Sequence, residues 1–600
     1  MTTTDFTVGF AAERSLEHAE TDVTVQALRK AVFGPHLAVQ TQVRDIVADL
    51  EDPLRSSLAD VPQSTLAPAV LQTVIAALDR PAREIAADTG LRSALVDWSA
   101  VIAPRWVLPL AGHIEAVGVI ASLGNGSDHQ RQRLAALDTG VSVGALMLTE
   151  LRGTRGADQE TTATWDREGD GYWLTSPTPG SVKMMAQGAD AAVAETVVVT
   201  ARLLVDGRDE GVFPFVFELR TSAGLISGAH VVRPPGTLGA AIDYAMIRFD
   251  RVWLPREALL GGDWARIDAD GRFECSVPQP DRFPRVLAVL GNVRLDPTTA
   301  SVAMARAGLA SLVDYSRQRR SGSGISMADR DDVRRDLVTG VAAVYAAGAL
   351  GRHLRDAAER SAEPQQTLWS MLAKPLLCET SHRVLELCRR HAGVRATLRA
   401  DHLVEWIATT STITAAGEDQ IMRVSAGGLI AELGSFPQLP STPGGLPWYI
   451  EMLAQRERII AAGIRIQTYG NAGVALGPAA AAIELATATA ERLAATALIA
   501  DALCVPDPTA RVLVASVAAA YALDRIHARG MWYAEHGLLS TDHATRITTT
   551  LRLQHATLAE KLPTLVAAFD ISALPGPLFG EDYTRALLDY SHWNDTSRRD

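Results

Sequence analysis

The sequence predicts a mainly α-helical protein with a central β domain, and three observations predict it. Apolar positions recur at three- and four-residue steps from about residue 10 to 140, as in Leu71, Val74, Ile75 and Leu78. Short β-rich runs broken by turn residues fill about 140 to 265. Helical periodicity then returns from about 284 to 435 and again from 449 to 570, on either side of GSFPQLPSTPGGLP at 434–447. These shifts in texture divide the chain into an N-terminal α-helical domain (1–139), a central β domain (140–270), a helical bundle (280–435) and a C-terminal α-helical domain (448–600).

Within the first domain, Pro81 restarts a helix that the following AREIAADTG carries and then stops. The β domain is read from Thr161–Trp165, Tyr172–Leu174, Glu195–Leu204, Val212–Leu219 and Ala245–Phe249, with EGDG, VDGRDEG and RPPG as turns between strands. The bundle includes a helix over Val302–Tyr315 and the alanine-rich LVTGVAAVYAAGALGRHL. The chain has no internal repeat and no low-complexity tract.

Composition excludes several function classes. Fifty-seven basic against 69 acidic residues leave a formal charge of −12 without long like-charge runs, which argues against a nucleic-acid binder. Cys275, Cys378, Cys388 and Cys504 form no CxxC pair, so neither a disulfide framework nor a zinc knuckle is expected, and no metal site. MTTTDFTVGFAAERSLEHAE has no basic start or apolar core, and no uninterrupted apolar run is long enough to span a bilayer. The expectation is a cytoplasmic protein without a membrane segment. Lysine occurs only at Lys30, Lys183, Lys374 and Lys561 among the 57 basic residues, an arginine and alanine bias that looks like high-GC bacterial coding.

No HExxH, GxSxG, Walker lysine loop or helix-opening GxGxxG is present. His113 and His391 read as partly buried structural imidazoles. Three clusters carry more information. Thr149, Glu150 and Leu151 end a strand before RGTRGADQ, a loop whose amides, with Arg152 and Arg155, suit an anion or else make a solvated turn. SRQRRSGSG, residues 316–324, puts arginines at a helix C-terminus, where they complement its dipole. AAGEDQIMR, residues 415–423, sets Glu418 and Asp419 in the first turn of a helix.

Taken in order, the segments resemble the oxidase branch of the acyl-CoA dehydrogenase flavoprotein superfamily. TELRGTRGADQETTATWD is similar to its TELGHGSN…ETTATYD signature, SPTPGSVKMMAQG to its strand pair around a lysine, and IRFDRVWLPREALLGG to its FDxVxIPRxxLL exit from the β domain. YSRQRR resembles YSxxRRQFG, LAKPLLCET a lysine-containing helix segment at Lys374, and VAAFDISALPGPLFGEDYTRAL the oxidase C-terminal domain. The tail SRRD is not a peroxisomal SKL address. The resemblance implies an N-terminal helical domain, a β-barrel-like domain, a four-helix bundle and an extra helical domain, assembled as a homodimer. It also implies FAD between the β domain and the bundle, a glutamate that takes an α-proton from an acyl thioester, and hydride transfer to the flavin.

Carried over residue by residue, the resemblance puts Thr149 beside the flavin ring, near Gly153, with Lys183, Met184 and Met185 on the strand that backs it. Arg319 and Ser321 are expected at the pyrophosphate, and Gly393 and Gln420 near the dinucleotide of the partner subunit. The departures are as informative. The usual base position holds Ala416, and an alternative one before Arg294 holds Val293. Glu418 is the first candidate for a relocated base, followed by Glu150 and Asp419. Gly322, Val394 and Arg395 also break the cofactor motifs. The reading is an FAD-dependent oxidoreductase acting on an acyl-CoA or carrier-bound acyl group in specialised metabolism. The alternatives are a scaffold that has lost FAD and does non-redox chemistry with Arg152, Arg155 or Arg395 on an anionic substrate, or a non-catalytic partner subunit.

Overall fold

The computed structural model of the chain describes residues 22–50, 63–153, 156–235, 243–320, 322, 324–361, 365–398, 402–413, 417–439, 445–466, 477–571 and 583–590. The chain divides into two compact units, 39–300 and 1–38 with 301–600. Helices precede the β domain: α1 (22–33), α2 (Leu37–Asp49), α3 (Gln63–Leu78), α4 (Ala82–Ala87), α5 (Thr89–Ile102), α6 (Val107–Leu123) and α7 (Asp128–Asp138). The helix restarted at Pro81 stops after Ala87 as expected, but the next residues open no loop. Asp88 instead caps α5, its carboxylate accepting the Leu91 amide at 3.0 Å.

The β domain comprises β1 (Val143–Met147), β2 (Thr162–Asp166), β3 (Gly171–Thr175), β4 (Lys183–Gln187), β5 (Glu195–Val205), β6 (Arg208–Thr221), β7 (Gly224–Leu225), β8 (Ala229–Val232), β9 (Tyr244–Phe249), β10 (Val252–Pro255), β11 (Ala265–Ile267) and β12 (Phe273–Cys275). The main sheet runs β10-β3-β2-β5-β6-β7 with β1 also on β5, beside a three-stranded sheet β4-β9-β8 and the β11-β12 pair. All five β-rich runs of the sequence form strands. β5 and β6 are the longest because both faces are covered: Val197, Val198, Val199, Phe213, Phe215 and Phe217 are all buried. Their register is fixed by the Asp206-Gly207 turn, where both residues have positive φ, 49° and 75°, the twist a tight hairpin needs.

His113 on α6 ties helix to sheet. Its Nδ1 accepts the Gly144 amide at 3.0 Å, and its Nε2 lies 3.0 Å from the Leu137 carbonyl, to which it donates. The imidazole is therefore neutral and structural, and burial pulls it down to about 4 from an ordinary 6.5. A depressed histidine costs stability as pH falls, because only the unfolded chain takes the proton readily. Stability should decline between about pH 6.5 and 4, by about 3 kcal/mol from this group. His113→Gln should flatten that slope in chemical denaturation, and an unchanged slope would assign it to other groups.

After α8 (Gln279–Val293) and α9 (Leu295–Gln318) come α10 (Asp331–Glu359), α11 (Gln365–Ala392), α12 (Leu403–Ile413), α13 (Asp419–Leu433), α14 (Trp448–Arg465), α15 (Pro478–Cys504), α16 (Pro508–Ala528), α17 (Gly530–Glu535), α18 (Thr541–Ala559), α19 (Leu562–Ala567) and α20 (Tyr583–Tyr590). The boundary between the two units falls inside α9, at Ser301. Among the described residues only α10 is long and apolar enough to cross a membrane, and 83% of that stretch is buried inside the protein. It is the central helix of its unit, packed on α11, α15 and α16. Small residues permit this close packing: a Cβ on Gly427 of α13 would lie 2.0 Å from the Ala482 carbonyl oxygen of α15. Helix α1 joins this unit rather than the helices that follow it in sequence. Arg352 of α10 donates to the Ala31 carbonyl at 2.6 Å while pairing with Asp501 at 2.7 Å, and Arg29 pairs with Asp570 at 2.6 Å.

Candidate functional site

The signature segment folds as a corner at the end of β1. Thr149 is exposed there, its carbonyl accepting the Met184 amide at 3.2 Å, which bonds the corner to β4. Directly after it, Glu150 turns inward and is only 2% exposed. Its carboxylate accepts the Glu160 and Thr161 amides at 2.8 and 2.9 Å and the Lys183 ammonium at 3.2 Å. Burial pushes this carboxyl up, but Lys183 and the amides outweigh it and hold it below the ordinary range. Glu150, expected as a candidate base, is thus committed to structure.

Lys183 is committed too. Its ammonium donates to the Leu148 carbonyl, Glu150 and Gln159 at 3.2, 3.2 and 2.8 Å, which uses all three protons. Burial pulls it down to about 8 against the pull of Glu150. The lysine expected to contact a cofactor instead fastens the loop that follows Thr149, and only its strand reaches the surface. Met184 is half-buried, and Met185 sits at the β-bulge between Met184 and Ala186. Gly153 is exposed at φ 68°, and its amide closes a turn onto the Glu150 carbonyl at 2.8 Å. Arg152, expected to hold an anion, has Glu160 at 2.5 Å as its counter-charge. Arg155 lies outside the described residues.

In the other unit, Arg319 follows the end of α9 and is exposed, its guanidinium donating to the Tyr315 hydroxyl at 2.9 Å. Arg395 lies over the rings of Tyr583 and Tyr315, 4.8 and 5.9 Å from their centroids. Gly393, at φ 67°, ends α11 and is exposed, as are Val394 and Gln420. Ser321 and Ala416 lie outside the described residues. Glu418 precedes α13, exposed, and caps no amide with its side chain. Asp419, the third candidate base, is answered by the fully buried Lys374 at 2.7 Å, whose ammonium also donates to the Gly417 carbonyl at 2.6 Å. The helix-start charge read from the sequence is one half of an ion pair. His391 pairs with Asp336 at 3.0 Å, in keeping with a structural role.

One acid was missed in the sequence. Glu115 is the single charged residue of α6, otherwise apolar apart from His113 and Ser122, and that isolation was the available signal. Burial pushes its carboxyl up to about 8, Asp296 adds to the rise, and Arg294 and Arg92 oppose it. Asp296 is itself taken by Arg92 at 2.5 Å. Among the described residues, no group of three or more His, Cys, Asp or Glu is arranged to hold a metal.

Each unit by itself presents one feature that suits part of a flavin dinucleotide. The Thr149 side chain stands exposed at the strand end beside Met184, and Arg319 offers an exposed guanidinium with no carboxylate partner among the described residues.

The family model described as "Acyl-CoA dehydrogenase, C-terminal domain" matches residues 283–427. The peroxisomal acyl-coenzyme A oxidase 3 of Arabidopsis thaliana is 26% identical over 278 residues, 44% of this chain and 41% of that protein. The acyl-coenzyme A oxidase of Candida glabrata is 37% identical over 150 residues, 23% of this chain and 19% of that one. The matches thus span less than half the length of these curated relatives. In structure, acyl-CoA oxidase 1 of Yarrowia lipolytica superposes with a TM-score of 0.77 at 17% identity, over 98% of this chain and 95% of that one. Acyl-CoA oxidase-2 of Caenorhabditis elegans, bound with FAD, ascaroside-CoA and ATP, does so at 0.77 and 16% identity, over 97% and 95%.

Two expectations change with these findings. The cytoplasmic placement is corrected, because the Arabidopsis relatives are named as peroxisomal. The bacterial source suggested by the arginine bias finds no support among relatives from plants, yeasts and a nematode. The mainly helical fold with a curled mixed sheet is that of the acyl-CoA oxidases, and within it residues 283–427 match the acyl-CoA dehydrogenase C-terminal domain.

Proposed function

We propose that the protein is an FAD-dependent oxidoreductase that oxidises an acyl thioester, in the manner of the acyl-CoA oxidases it resembles. The observation that carries the reading is the exposed Thr149 at the end of β1, fastened from behind by the Glu150–Lys183 pair. FAD, when bound, supplies the hydride acceptor. Within the unit 39–300, Thr149 and the β4 backbone at Met184 are assigned to the flavin ring; within the other unit, Arg319 is assigned to a pyrophosphate. The FAD-bound nematode relative supports the cofactor, and the acyl-CoA oxidase names support the substrate class. Domain ranges 1–139, 140–270, 280–435 and 448–600 and a homodimer, with Gly393 and Gln420 toward the partner's dinucleotide, belong to the same reading.

The anionic-substrate alternative is weaker because Arg152 already has Glu160. Incubation with acyl-CoA thioesters of graded length should release hydrogen peroxide, and no peroxide or enoyl product with any of them would refute the reading. Arg319→Ala should weaken FAD about 10- to 100-fold in fluorescence titration, the loss of a charge-assisted bond to phosphate, while leaving the melting temperature within a degree or two. Unchanged affinity would remove Arg319 from the site.

A further inference from the structure

We infer that Tyr583 is a positioning residue for the cofactor: from the C-terminal helix α20 it braces the Tyr315 ring that holds the Arg319 guanidinium, and so makes the end of the chain a determinant of FAD affinity. The inference rests on the proposed assignment of Arg319 to a pyrophosphate. Every group in it belongs to the unit 1–38 with 301–600.

Arg319 is exposed, one residue beyond the end of α9. Its main chain is fixed locally, the amide donating to the Tyr315 carbonyl at 3.0 Å and the carbonyl accepting the Met327 amide at 2.8 Å. The side chain is steadied by Tyr315 as well. The guanidinium donates to the Tyr315 hydroxyl at 2.9 Å, and its carbon stands 5.6 Å from the centroid of that ring. An arginine closing on a phosphate gives up rotamer freedom, and one already held on a buried ring has given up part of it beforehand. The hold is only as firm as the ring, so what packs against Tyr315 sets where the guanidinium waits.

Tyr583 packs against it. The two rings meet edge to face, with centroids 5.1 Å apart and planes at 65°. Tyr315 is buried and Tyr583 half-buried. Tyr583 is itself anchored twice: its amide donates to the side-chain oxygen of Gln318 at 3.2 Å, and Arg395, from the turn after α11, lies 4.8 Å over its ring. Gln318 and Tyr315 both belong to the last turn of α9, so Tyr583 grips that turn through its main chain and through its ring. A ring edge brings neither charge nor proton to Arg319, and its effect is therefore geometric, selecting one direction for the Tyr315 hydroxyl. The local backbone bonds of Arg319 do not involve Tyr583, which confines the effect to the side chain.

The test is a fluorescence titration with FAD of the full-length protein stripped of bound flavin. Tyr583→Ala should weaken FAD about 2- to 10-fold, the range that one aromatic pair supports, while Tyr583→Phe, which keeps the ring, should match the parent. Tyr315→Phe, which loses the hydroxyl and keeps the ring contact, should weaken FAD to a similar degree. In the Arg319→Ala background, Tyr583→Ala should add nothing, because the ring acts through that guanidinium. Tyr583→Leu, which fills the space without a ring, carries the same expectation if the Ala variant does not fold. Parental affinity in the Tyr583 variants, or the same loss with and without Arg319, would overturn the inference. If Arg319→Ala weakens FAD and the Tyr583 variants do not, this inference alone falls; if Arg319→Ala binds FAD as the parent does, the pyrophosphate assignment falls and takes it along.

Discussion

Lys183→Met should destabilise the protein by about 3 to 5 kcal/mol, the cost of leaving a buried carboxylate without its cation. Lys183 and Glu150 are 0% and 2% exposed and 3.2 Å apart, and water cannot replace the lost partner. The two amides that remain on Glu150 answer part of its charge, so the variant should fold at low temperature and melt early. Removing both charges, in Lys183→Met with Glu150→Gln, should recover a large part of the loss, because the penalty comes from the orphaned ion rather than from the missing attraction. Chemical denaturation of the four-member cycle measures this directly. A single variant within 1 kcal/mol of the parent would show that Lys183 does not hold the corner behind Thr149, and the proposed flavin wall would lose its support.

The second large effect is expected at the other buried lysine. Asp419→Ala should cost about 3 kcal/mol, because the Lys374 ammonium, 0% exposed, would keep only the Gly417 carbonyl. Lys374→Met should cost less, since the Asp419 side chain is 20% exposed and water can reach it. This asymmetry separates a structural pair from a catalytic one. If Asp419 were a base, Asp419→Asn would abolish turnover while leaving stability almost untouched; the structural pair predicts a lower melting temperature with turnover reduced only in proportion to folded protein.

The parts of the fold legible in the sequence are those set by local pattern. β5 and β6 read as strands because both faces are buried, so their apolar runs are nearly continuous, and α10 reads as helix from its alanine-rich center. The membership of α1 was not legible, since it depends on Arg352 and Asp570, hundreds of residues away. Among site residues, Thr149 and Arg319, named only through the resemblance of their segments, are both exposed. The partners of Glu150, Asp419 and Arg152 did not show in spacing, because a carboxylate beside a glycine-rich loop reads alike whether it faces a lysine or solvent. Glu115 escaped because motif reading looks for clusters, and its neighbours Arg92, Arg294 and Asp296 come from three other places in the chain.

The most direct test of the account is the absorption spectrum of the freshly purified protein, followed by acid release and identification of the bound chromophore. The account predicts the two visible flavin bands and FAD released in equal proportion to protein. A colourless protein that takes up no FAD from excess would contradict it, and would mean that Gly322, Val394 and Arg395 record the loss of the cofactor on a retained scaffold.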